Sequence, residues 1–128
     1  MATGARGESL IQVGEQEYHL LFTNRALASA EQRTGKSIMQ LAGQAMASQL
    51  SMTDTAALLM VGLEAARLDM RVGGRSWDLS RAYEVMDQAG FVKSSLAVME
   101  GIAAVISYDP DAKAEEGEGD DDDSPPEQ

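Results

Sequence analysis

From Leu10 onward the chain alternates apolar and polar residues in two short runs. Leu10, Ile11 and Val13 precede Gly14-Glu15-Gln16, and Tyr18, Leu20 and Phe22 follow at strict two-residue spacing. That period, with a glycine-bearing turn between the runs, predicts an antiparallel hairpin. A hairpin alone is marginal in water, so its apolar face is expected to rest on the helices that follow.

After Phe22 the period changes. Thr23 and Asn24 are both good N-caps for a helix running through Leu27 and Ala30 to about Arg33, and Gly35 suits the left-handed position that ends helices. Ser37 and Gln40 spell a capping box ahead of Ile38, Leu41, Ala42, Ala45 and Met46 on one helical face. A third helix, starting between Ser51 and Thr53, carries the stripe Ala56, Leu59, Met60, Leu63, Ala66 and Met70, and Gly73-Gly74 is expected to break it. A fourth, capped by Ser76 or Asp78, carries Leu79, Ala82, Tyr83, Met86 and Ala89 as far as Gly90. The last has the best periodicity, with Val92, Leu96, Met99, Ala103 and Ile106 alternating steps of four and three. Asp109-Pro110 ends it, because proline removes a ladder donor and restrains the residue before it.

The expected fold is therefore mainly α (α+β): a short N-terminal β-hairpin, about five amphipathic helices, and a disordered acidic C-terminal tail. Residues 1–8 read as a flexible N-terminus, 9–108 as a single domain and 109–128 as the tail. With 128 residues there is room for one core. Low aromatic content (5%) and eight methionines favour helices packed through small and flexible side chains over a β-sandwich.

The net charge of −11 changes the picture once it is located. Residues 109–128 hold ten acids and one base, Lys113, whereas 1–108 hold eleven acids and nine bases. The domain is close to neutral and the acidity belongs to the tail. No apolar residue larger than alanine lies in that tail to offset the entropy of ordering. Few and scattered bases argue against nucleic-acid binding. No apolar run reaches the length of a membrane span, and Met1 to Ser9 lacks a signal-peptide core, so a cytoplasmic location is expected.

Candidate chemistry is sparse. Cysteine is absent, which excludes thiolate nucleophiles and zinc–thiolate sites. His19 is the one histidine, on the strand face opposite Tyr18 and Leu20, where a surface role is expected. Gly35-Lys36-Ser37 echoes the end of a phosphate-binding loop, but Ala30 stands where the motif needs its first glycine, and the preceding segment is helical. Asp120 to Asp123 lacks the spaced acids of a calcium loop. The other acids fall on polar faces or near helix starts. Glu31, between Leu27 and the Gly35 stop, is the acid to watch. No catalytic, metal or cofactor residue is assigned, and an enzyme is not expected.

Met39, Met46, Met60, Met70, Met86 and Met99 lie on or beside helical stripes, where they either fill the core or present an adaptable surface. A small domain with few helices often leaves a stripe for a partner. The candidate partner-binding residues are Leu59, Met60, Leu63, Met86, Leu96 and Met99. Trp77, just ahead of the fourth helix, serves either as a hydrophobic staple or as an interface anchor.

The hairpin followed by Leu27-Ala-Ser-Ala-Glu31-Gln-Arg-Thr-Gly35-Lys-Ser-Ile38 resembles the tail assembly chaperones of long-tailed phages and gene transfer agents. The resemblance covers roughly 9–106 and includes Leu58 to Leu63, which is similar to that family's central helix; the aspartate-rich tail is less typical. It implies a protein made during tail morphogenesis and absent from the mature virion. It also implies binding to the tape measure protein and recruitment of tail tube protein, with a frameshifted longer form and homo-oligomers among the further partners. A structural minor tail or tube-associated protein retained in the particle is the alternative.

Overall fold

A computed structural model describes residues 7–109 and 111. The expectations for 1–6 and for the acidic stretch 112–128 fall outside these residues.

Strands β1 (Glu8–Val13) and β2 (Gln16–Leu21) pair antiparallel, with Glu8 opposite Leu21 and Val13 opposite Gln16. Gly14 takes a positive φ of 60° at the first position of the two-residue turn, the conformation that glycine supplies without strain. Ser9, Ile11 and Leu20 point inward, and Leu10 and His19, directly opposite each other, point outward. Five helices follow: α1 (Asn24–Thr34), α2 (Ile38–Met46), α3 (Met52–Asp69), α4 (Leu79–Ala89) and α5 (Phe91–Ser107). The hairpin-plus-five-helix expectation holds.

Local sequence signals explain most helix starts. Thr23, Ser37, Ser51 and Asp78 each accept a backbone N–H from the first turn of α1, α2, α3 and α4. Gly35, at φ 73°, closes α1, and Gly90, at φ 93°, alone separates α4 from α5, whose axes diverge by 114°.

One helix end differs from expectation, and a second closes by the same device. α3 stops at Asp69, ahead of Gly73-Gly74. Arg71 takes the left-handed conformation (φ 58°) while Val72 N–H donates to Arg67 O and Arg71 N–H to Leu68 O. That is a Schellman ending built on a residue other than glycine. α2 ends in the same way at Ser48, φ 58°, with Gln49 N–H on Gln44 O and Ser48 N–H on Ala45 O.

α3 is the axis of the molecule. Every residue from Asp54 to Leu63 is buried, because β2, α1, α4 and α5 all pack around it. The one-sided stripe read from its sequence is thus the most apolar part of a helix covered on all sides. Phe22, fully buried just after β2, drives its ring between α3 and α5. A Cβ on Gly62 or on Gly101 would strike that ring, so these two mid-helix glycines exist for close approach. Ser9 Oγ donates to Ala97 O at 2.7 Å and fastens β1 to α5.

α5 presents a different face from the one its periodicity marked. Ser94, Ala97, Val98, Gly101 and Ile102 turn inward. Val92 (69% exposed), Leu96 (47%) and Ile106 (36%) turn outward. Small residues let α5 lie close to Phe22 and β1, and that closeness outweighs the larger apolar stripe.

Candidate interaction surface

Two connections frame the surface. At the α1–α2 corner, Ser37 Oγ accepts from Gln40 N–H at 3.1 Å, which is the N-cap half of the capping box. The neighbouring free donor, Ile38 N–H, is taken by Glu31 Oε2 at 2.7 Å. Glu31 therefore reaches from the last turns of α1 across the Gly35 bend to the start of α2, where an anion is also favoured by the helix dipole. The spacing Leu27-x-x-x-Glu31-x-x-x-Gly35-x-Ser37 has a physical content: buried anchor, cross-corner cap, left-handed bend, N-cap. Lys36 Nζ then meets Asp54 Oδ2 at 2.5 Å and ties the corner to a buried carboxylate in the first turn of α3.

Beyond α3, Glu64 organises the loop to α4. Arg67 donates to both of its oxygens, at 2.9 and 2.7 Å, and Trp77 N–H donates to Oε1 at 2.9 Å. The Arg67 guanidinium, opposed by partial burial and helped by Trp77 N–H, holds the Glu64 carboxyl down to about 2. Arg67 also donates to Val72 O. Trp77 meets Tyr18 edge-on, with ring centroids 6.2 Å apart, and carries the Arg81 guanidinium 4.0 Å above its ring. Its ring neighbours are thus a hairpin tyrosine and an arginine of α4, and it also packs against the buried core.

Between these connections, along the seam of α1 and α3, runs a groove of about 480 Å³. Leu21, Ala26, Met60, Val61 and Ala65 line it, Leu68 stands 61% exposed beside them, and half-buried Trp77 contributes to the same wall. Its α1 side carries Arg25, Ser29 and Arg33 at four-residue spacing.

The six residues singled out from the sequence are distributed unevenly. Leu59, Met60, Leu63 and Met86 are buried, Met99 is half-buried and Leu96 is exposed. As a solvent-facing set this corrects the expectation: encirclement of α3 consumes its leucines, and Met60 reaches the surface only as a liner of the groove. Among the described residues the exposed methionines are instead Met39, Met46, Met52 and Met70, with Leu68 in the last turn of α3 and Val72 just beyond it. Sequence reasoning missed Arg25, Ser29 and Arg33. Their i, i+4, i+8 spacing was the available signal, but nothing along the chain marks which polar stripe borders a groove.

His19 lies on the outer face, 3.5 Å from Glu17. Among the described residues no three His, Cys, Asp or Glu side chains are placed to share a metal ion, and no single helix is long and apolar enough to cross a membrane.

Fold and surface together define a small helical domain braced by an N-terminal hairpin, with an apolar seam open to its surroundings. The chain belongs to the family described as phage tail tube protein, GTA-gp10, whose model matches residues 6–87, from the hairpin into the last turn of α4. It is therefore a phage tail protein. No curated protein and no solved structure matches it.

Proposed function

We propose that this phage tail protein is a tail assembly chaperone, which holds helical segments of the tape measure protein during morphogenesis and helps to recruit tail tube subunits. The observation that carries this reading is the apolar seam between α1 and α3, with Met60 in its lining and exposed Leu68 beside it. Apolar helical stripes of a client bury well in such a groove, and methionine adapts to sequences that vary along a long client. The mechanism is stoichiometric cover without catalysis, carried out in the host cytoplasm, and the protein leaves before the virion matures. A frameshifted longer form of the chain would extend the same domain. Co-expression with the cognate tape measure protein tests this: a soluble complex is expected, and an insoluble client with no co-purification would sink it.

A second reading is favoured by the family's own description, which names a tail tube protein. In that case the chain stays in the particle as a tube-associated component. Mass spectrometry of purified tails separates the two, since abundant copies in mature particles support retention and their absence supports a chaperone.

A further inference from the structure

We infer that the α1–α3 groove is a docking site for an amphipathic helix whose apolar face is bordered by acidic residues, and that Arg25 and Arg33 select that acidic flank. The inference rests on the chaperone reading for the origin of the helix, although the groove chemistry stands by itself. The floor is apolar, formed by Leu21, Ala26, Met60, Val61 and Ala65. Such a floor takes the aliphatic face of a helix and rejects a wholly polar segment, whose polar groups would lose water without finding partners.

The charge around the floor is divided between its sides: the cations Arg25 and Arg33 lie on α1, and the acids Glu64 and Asp69 lie on α3. Arg25 and Arg33 stand about 12 Å apart along α1, at 1.5 Å of rise per residue, on the same side as Ser29. Among the described residues neither forms an ion pair. On the α3 side Glu64 is paired with Arg67 and Asp69 is a second carboxylate, so the acidic flank of an incoming helix is directed away from α3 and toward α1. The α1 edge is thus a cationic strip on a chain of net charge −11. Two carboxylates about two turns apart along an incoming helix meet both guanidiniums, and a basic flank there meets repulsion.

Trp77 is the only tryptophan, and it lines the groove, so its emission reports occupancy. The test titrates the full chain with a helical peptide bearing leucine and alanine on one face and glutamates along one flank. A counterpart carries lysines in place of the glutamates. The acidic peptide is expected to shift Trp77 emission saturably, and the lysine counterpart to bind about tenfold more weakly. The Arg25→Glu/Arg33→Glu double variant should invert that order, and Ala65→Gln, which fills the floor, should weaken both peptides. Equal binding of the two peptides, or no shift with either, overturns the proposal. Emission that changes with chain concentration alone assigns the groove to a second copy. Emission that responds to salt at every dilution assigns it to the chain's own acidic segment. Either result also overturns it.

Co-expression with the tape measure protein separates the two levels. If wild type and the double variant solubilise the client equally, the groove assignment fails and the chaperone reading survives. If neither solubilises it while the acidic peptide still binds selectively, the groove assignment stands and the chaperone reading fails.

Discussion

The α1–α2 corner and the α3–α4 connection do the same job by opposite means. The corner is three residues long, and its cap bonds come from side chains at most seven positions away, Glu31 to Ile38 and Ser37 to Gln40. The connection spans nine residues and is held from outside itself, by Glu64 thirteen positions before Trp77 and by Tyr18 on the hairpin. A short turn satisfies its free backbone groups with neighbours, so a local motif can specify it. A longer connection has more polar groups than its own residues can match, and it borrows partners from packed elements.

The largest expected effect breaks the borrowed side of this pair. Glu64→Ala removes two charge-assisted bonds and leaves Trp77 N–H without its acceptor, at a cost of about 2–3 kcal/mol. Thermal unfolding should fall by several degrees and Trp77 emission should move to the red, while exchange of the Ile38 amide stays slow. Unchanged Trp77 emission would show that the loop does not depend on Glu64.

The same carboxylate predicts a pH signature. Its value is depressed from about 4.5 to about 2, so its stabilisation is whole above pH 4.5 and drains away as pH falls from there toward 2. Melting curves of wild type and Glu64→Gln, compared between pH 7 and 2, should converge in that window. Parallel curves would refute the linkage.

Breaking the local side should cost less. Glu31→Ala is expected to lose about 1 kcal/mol, as removal of a helix cap does, and to speed exchange of the Ile38 amide with Trp77 emission unmoved. The smallest effect sharpens the contrast at the end of α3. Arg71 occupies a left-handed position at φ 58°, so Arg71→Gly should stabilise by a few tenths up to about 1 kcal/mol in denaturant melts. A loss of stability would mean that the Arg71 side chain contributes more than its backbone conformation costs.

Much of the fold was legible along the chain, and the reasons are local. Period two with Gly14, the cap Ser37 and the stops Gly35 and Gly90 are short-range signals found where they were read, and the structure selects Thr23, Ser51 and Asp78 among the neighbouring cap candidates. Arg71 hid the end of α3 because it is not the glycine that advertises a left-handed turn, and Ser48 closes α2 without one. The candidate site was less legible. Leu59, Leu63 and Met86 looked like an offered face because periodicity reveals an apolar stripe but not what already covers it.

The sequence by itself determined which elements form, where most of them begin, and that a nearly neutral domain is joined to an acidic segment. It also held the corner motif from Leu27 to Ile38, whose cap bonds join residues close in the chain. Tertiary structure alone decided which side of each helix is free. It wrapped α3, turned the small-residue face of α5 onto Phe22, and left Arg25 and Arg33 beside an open apolar seam. Burial is a property of several elements meeting at one place, and no spacing within one helix encodes the presence of the others.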